Sequence, residues 1–158
     1  YNREELAEII QRSAGLMEVE VSPDGALAMA GRARGTPRIA NRLLRRVRDV
    51  AQVSGAPVIN DAVTSDALTL LRVDALGLED IDRQILERLI VTFEGLPVGL
   101  GTIADAIGEA SDTIEDVYEP FLLQEGLIKR TPRGRVATPR AYRHLGHEPP
   151  STEQANLF

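Results

Sequence analysis

Gly35-Thr36-Pro37-Arg38-Ile39-Ala40-Asn41-Arg42 opens a helix and puts a cation in its first turn. Thr36 suits the N-cap, because its hydroxyl can accept from a free backbone N–H. Pro37 suits the first helical position, where no N–H is required. Arg38 then stands at the positive end of the helix dipole, a place disfavoured by ~0.3–1 kcal/mol unless an anion lies nearby. Helix N-termini bind phosphate, so a phosphate is the ligand this arrangement suits. A surface arginine that tolerates the dipole is the plain alternative.

The helix so opened is predicted from Pro37 to about Val53, with Ile39, Leu43, Val47 and Val50 on its apolar face. Arg38, Arg42 and Arg45 fall on the other side, and Arg42, Arg45 and Arg46 read as a solvated basic face. Upstream, Asn2 caps a helix to about Leu16, with Glu4 and Glu5 in its first turn and Leu6, Ile9, Ile10 and Met17 as its stripe. Ser22-Pro23-Asp24 starts a second helix through about Arg32, ended by Gly35. Asn60 or Asp61 starts a fourth, through about Leu71. These four helices make one small domain, residues 1–74, and Val73–Leu78 reads as the linker out of it.

Beyond the linker the pattern changes. Helices are predicted over Glu79 to about Phe93, Leu100 to about Ile107 and Asp112 to Glu125. Two short strands follow, about Leu127–Thr131 and Arg135–Thr138, joined around Pro132-Arg133-Gly134, where glycine suits a hairpin. Three helices and then a hairpin is the winged-helix order, and a last helix, about Pro139 to Leu145, completes residues 75–147. Residues 148–158 are polar and Pro-containing and read as a flexible tail. The fold class expected is mainly α, a four-helix domain followed by a winged helix with a small β-hairpin wing.

Composition narrows the function. At 158 residues with 4% aromatic content, one or two small domains must build their cores from aliphatic side chains. The absence of cysteine excludes disulfides and zinc-thiolate sites and fits a reducing compartment. No apolar run approaches the ~20 residues of a membrane span. The net charge of −6 argues against a generic DNA binder, but the charges are segregated. Gly31–Arg48 holds seven arginines and no acid, and Gly126–His147 holds one lysine and five arginines, again with no acid. Such segregation leaves local positive fields on an acidic protein.

Three stretches carry a family resemblance. Ala33-Arg34-Gly35-Thr36-Pro37-Arg38-Ile39-Ala40-Asn41-Arg42-Leu43-Leu44-Arg45-Arg46-Val47-Arg48-Asp49 resembles the lid segment of the RuvB family, bacterial AAA+ motors of Holliday-junction branch migration. Asp112-Thr113-Ile114-Glu115-Asp116-Val117-Tyr118-Glu119-Pro120 and Arg130-Thr131-Pro132-Arg133-Gly134-Arg135-Val136-Ala137-Thr138 are similar to the same family, in the same order. The resemblance implies a helical AAA+ lid at 1–74 and a DNA-binding winged helix at 75–147. No G-x-x-x-x-G-K-S/T loop occurs, and the chain starts without Met, so it is expected to be a piece of a longer protein whose nucleotide-binding domain lies upstream.

Several roles follow from the resemblance alone. Arg38 would be the sensor that reaches the γ-phosphate of ATP from the lid, and Tyr1 would lie beside the adenine. Arg130 and Arg135 would contact DNA, with Arg133 a third candidate. Mg2+ would be held by the missing domain, and neither a cofactor nor catalysis is expected of these residues alone. The implied partners are duplex DNA and the Holliday junction, RuvA chiefly through the missing domain, RuvC, and five further copies in a hexameric ring in the bacterial cytoplasm, acting in recombination and repair. The family also carries a DNA-contacting arginine just before the Asp-Thr-Ile-Glu-Asp run, where this chain has Ser111. That departure predicts weaker binding or compensation by Arg133 or Arg140.

Two further readings come from the residues. The third helix of the winged domain, which would ordinarily enter the major groove, carries Asp112, Glu115, Asp116, Glu119 and Glu125 and no lysine or arginine. Phosphates would repel it, so sequence-specific readout is not expected. That speaks against the alternative function, a winged-helix transcription regulator. Gln154-Ala155-Asn156-Leu157-Phe158 looks like the short peptides that dock on the bacterial sliding clamp, although a disordered tail is the preferred reading of so short a pattern.

Overall fold

The computed structural model describes residues 1–33 and 36–151. Contacts divide the chain into two compact units, Tyr1–Glu79 and Asp80–Phe158. Gly35 and the Gln154–Phe158 peptide, each given a role above, lie outside the described residues.

In the first unit α1 spans Arg3–Leu16, α2 Pro23–Arg32, α3 Pro37–Ser54 and α4 Asp61–Leu70. Their starts are local chemistry. Asn2 accepts from the Glu5 N–H, Ser22 from the Gly25 N–H and Asn60 from the Val63 N–H, each satisfying a donor the first turn leaves open. Thr36 corrects the expectation for α3. It occupies the N-cap in extended backbone, but its hydroxyl makes no capping bond. Pro37 already confines the preceding residue to that region, and the helix starts on this restriction. Gly55 ends α3 in left-handed backbone at φ 75°, returning its N–H to the last turn.

The core of this unit is aliphatic, as the few aromatic residues require. Leu6, Ile10, Met29, Leu43, Leu44, Val47 and Ile59 are each 2% exposed or less. Of the α3 stripe, Val50 is only half-buried. The segments entering α2 and α4 are sewn together by a parallel bridge, with Ser22 N–H to Ile59 C=O at 3.0 Å and Ile59 N–H to Glu20 C=O at 2.9 Å. A Cβ on Gly25 would lie 2.3 Å from the Ile59 carbonyl oxygen, so α2 passes this loop only as glycine.

In the second unit α5 spans Asp80–Glu87 and continues as a π turn over Arg88–Thr92, and α6 spans Leu100–Ile107. The helix expected over Asp112–Glu125 is one helical run with a π turn inside it: α7 at Ser111–Thr113, the π turn at Ile114–Tyr118 and α8 at Glu119–Gln124. Pro120 accounts for the irregularity, because a proline inside a helix lacks the N–H and crowds the carbonyl four residues back. The Glu119 N–H instead reaches the Ile114 carbonyl, five residues back.

Strands β1 (Ile128–Thr131) and β2 (Gly134–Ala137) pair antiparallel, with Lys129 opposite Val136 and Arg130 opposite Arg135. Val98 adds an antiparallel bridge to Arg135, unforeseen from the sequence, through bonds of 2.7 and 3.0 Å. Helix α9 (Pro139–His144) is capped by the Thr138 hydroxyl. The core is Leu86, Leu89, Ile103, Ile114, Leu122, Leu127 and Val136, each at most 3% exposed. No described helix is long and apolar enough to cross a membrane.

Candidate functional site

The hairpin carries a row of cations along its strands and turn. Lys129, Arg130 and Arg133 are exposed. The turn is closed by Thr131, whose hydroxyl donates to the Gly134 carbonyl at 2.8 Å and accepts from the Arg133 N–H at 3.2 Å. Arg130 and Arg135 face each other across the strands, where two like charges repel. Glu119, the first residue of α8, resolves that repulsion. Its side chain is 2% exposed, against 56% for Arg130 and 20% for Arg135. Arg130 donates from Nε at 2.9 Å and from Nη2 to Glu119 Oε1. Arg135 donates from Nε to Oε2 at 2.9 Å and from Nη2 to Oε1 at 3.2 Å. Burial pushes the Glu119 pKa up, but the hydrogen bonds and charges of Arg135 and Arg130 outweigh it and hold the carboxyl below the usual range.

This corrects the reading of the acidic helix. Glu119 and Glu125 do not face a groove. Glu119 is turned onto the wing, and Glu125, with a side chain 6% exposed, lies 3.7 Å from Arg140. Arg140 also donates to the Glu125 carbonyl at 2.6 Å. The exposed acidic face is therefore narrower, made of Asp112, Glu115 and Asp116. Ser111 is exposed beside them at the start of α7.

In the first unit Arg38 is exposed in the first turn of α3, and Tyr1, ahead of α1, is 70% exposed. An accessible guanidinium at a helix N-terminus fits contact with a phosphate, and an accessible ring fits stacking on a base. Arg45 is exposed as expected, but the solvated basic face fails at Arg42 and Arg46. The Arg42 side chain is 8% exposed and donates to Glu79 Oε2 at 3.2 Å, and Arg46 donates to both Glu79 oxygens at 2.9 Å. At 100° per residue Arg42 lies ~60° from Ile39, on the flank of the apolar stripe rather than behind it. The Glu79 side chain, 7% exposed, arrives from beyond α4, so no helical wheel could foresee it.

Glu119, Glu79 and Val98 are the residues that sequence reasoning missed. The one local signal for Glu119 is its place before Pro120 in a helical run, where the helix changes phase. Among the described residues no group of three or more His, Cys, Asp or Glu is placed to hold a metal ion.

Two family models match the chain in succession. Residues 1–74 match the family model of the RuvB AAA lid domain, and residues 75–146 match that of the RuvB C-terminal winged helix domain. The chain is 56% identical over 155 residues to the Holliday junction branch migration complex subunit RuvB of Streptomyces coelicolor, covering 98% of this chain and 43% of that protein. The solved structure of the Thermotoga maritima RuvB Holliday junction branch migration motor superposes with a TM-score of 0.62 at 47% identity, over 95% of this chain and 50% of that one. A point mutant of the same motor matches equally, with a TM-score of 0.62. The chain thus spans half or less of the length of these relatives.

Proposed function

Because this chain belongs to the RuvB family, we propose that it forms the nucleotide-responsive lid and the DNA-gripping end of an ATP-driven Holliday-junction branch-migration motor. Residues 1–74 act as the lid, 75–147 as the winged helix and 148–158 as an extension. In the longer protein ATP and Mg2+ are held by a domain upstream of Tyr1. Arg38 forms or loses a charge-assisted bond to the γ-phosphate as the nucleotide turns over, and Tyr1 packs beside the adenine. The motor works as a hexameric ring on duplex DNA in the bacterial cytoplasm, with RuvA at the junction and RuvC as resolving partner. These residues alone neither bind nor hydrolyse ATP.

One observation carries the DNA reading: a hairpin with Lys129, Arg130 and Arg133 exposed, beside a helix whose exposed acids are Asp112, Glu115 and Asp116. Contacts from such a ribbon go to phosphates, which position a protein without specifying a base. A motor that must step along any sequence needs this kind of grip. A transcription regulator would need a helix that tolerates the groove, and the exposed acids oppose that.

Fluorescence anisotropy of the chain on labelled duplexes tests the proposal. Affinity should be alike for unrelated sequences and should fall with salt at a log–log slope of ~0.9 per phosphate neutralised. A preference above ~10³ for one duplex over scrambled controls, the low end for specific readers, would replace the motor reading with the regulator.

A further inference from the structure

We propose that Glu119 is a positioning residue for DNA. Its buried carboxylate sets the Arg130 and Arg135 guanidiniums in the orientation in which they meet phosphates. The inference rests on the wing reading above, and it assigns to an acid a positive role in binding a polyanion.

The geometry carries it in three steps. First, the two arginines are register partners across the hairpin, so without a counterion they would splay apart. Second, Glu119 reaches them from another element and is itself held. Its side chain is 2% exposed, and its backbone stands where the π turn meets Pro120. Third, the edges are divided. Each guanidinium gives Glu119 its Nε and Nη2 hydrogens. The end-on edge, Nη1 with the second Nη2 hydrogen, makes no bond to that carboxylate. Arginine has five donors in a planar fork, so one edge can be anchored while the other offers a paired set to a phosphate. Lysine, a single ammonium on a flexible stem, cannot do both.

Charge counting alone says the reverse. Glu119→Gln removes a negative charge from the wing, so simple counterion release predicts tighter binding and a steeper salt slope. If the carboxylate positions the arginines, Glu119→Gln weakens binding to all duplexes by about tenfold, equivalent to ~1.4 kcal/mol, and makes the slope shallower by about one. A purely structural role would leave that slope unchanged in the folded variant.

The test compares wild type with Glu119→Gln, Arg130→Ala, Arg135→Ala, Arg130→Lys and Arg135→Lys, by anisotropy on one labelled duplex over a range of salt. Support consists of a weaker Glu119→Gln, lysine variants as weak as the alanine ones, and no further loss when Glu119→Gln is added to the Arg130→Ala, Arg135→Ala double variant. If the alanine variants weaken but Glu119→Gln binds as wild type or tighter, the inference is overturned and the wing reading stands. Lysine variants that bind as wild type overturn it too, and they keep the test decisive should Glu119→Gln fail to fold. If Arg130→Ala and Arg135→Ala bind as wild type, the wing reading itself falls and takes this inference with it.

Discussion

Gly134→Ala probes the wing at its tightest point. Gly134 has φ 138°, a region that side chains rarely enter, and an added Cβ would sit 2.6 Å from both the carbonyl carbon and oxygen of Val98. Those are backbone atoms, so no rotamer change relieves the overlap. Two terms follow. Holding alanine at this φ costs roughly 1–3 kcal/mol. Relieving the clash moves β2 off Val98 and stretches the two Val98–Arg135 bonds, of 2.7 and 3.0 Å, each worth ~0.5–1.5 kcal/mol. The expected loss is therefore roughly 2–6 kcal/mol, a large share of the stability of a small domain. Gly108→Ala is the control: φ is 73° and nothing lies within 4 Å of its Cβ, so only the left-handed strain of ~1–2 kcal/mol applies. Urea unfolding followed by far-UV circular dichroism gives the two losses, and hydrogen exchange at the Arg135 amide shows whether the bridge opens. DNA affinity should fall with Gly134→Ala, since Arg135 rides on β2, and hold with Gly108→Ala. Equal losses for the two variants, with Arg135 still protected, would refute the close-approach argument.

Other consequences are as direct. In the longer protein Arg38→Ala should nearly abolish ATP turnover while shifting stability by no more than ~0.5 kcal/mol, because the side chain is exposed; near-normal turnover would contradict the sensor role. Glu79→Ala removes the carboxylate that Arg42 and Arg46 share, and breaking a buried pair of this kind should destabilise the first unit by about 3 kcal/mol. An unchanged thermal midpoint would show that the pair contributes nothing net. Glu119 titrates below its ordinary value of 4.5 in the folded chain, so its ion pairs add stability above that pH that is lost as pH falls through the folded-state value. The urea-midpoint gap between wild type and Glu119→Gln should accordingly shrink on acidification below 4.5; a gap that widens there would reverse the sign. Glu115→Gln, on the exposed acidic face, should bind duplex at least as tightly as wild type by anisotropy.

Most of the helical architecture was legible because its causes are local. Asn2, Ser22 and Asn60 cap where the sequence places them, and Ile39, Leu43 and Val47 are buried at helical spacing. The hairpin was legible for the same reason, in the turn residues Pro132-Arg133-Gly134. Long-range polar structure was not. Arg42 is 37 residues from Glu79, and Arg130 and Arg135 are 11 and 16 from Glu119. Period and propensity carry no information about which acid meets which base at such separations. A single acidic face over the 112–125 run requires an uninterrupted helix, and the π turn at Ile114–Tyr118 breaks that phase. Gly134 suits a turn by its local sequence, whereas its close approach to Val98 is set by a segment 36 residues upstream.

The two units solve the same electrostatic problem in the same way. In the first, Arg42 and Arg46 are four apart on α3, a spacing at which like charges repel, and Glu79 bonds to both. In the second, Arg130 and Arg135 are opposed across a hairpin, and Glu119 bonds to both. In each case a carboxylate at most 7% exposed gathers two guanidiniums from a different element. Arginine permits this because its fork bonds along one edge and keeps its charge when partly buried. The consequences differ with exposure. Arg42 is 8% exposed, so its pair with Glu79 fixes the segment after α4 against α3. Arg130 is 56% exposed, so the same device leaves a cation at the surface with its direction already set. If the wing binds DNA as proposed, binding loses less side-chain freedom than it would with two unanchored arginines. On the proposed reading, an acidic chain of net charge −6 holds DNA through a few oriented cations rather than through bulk charge.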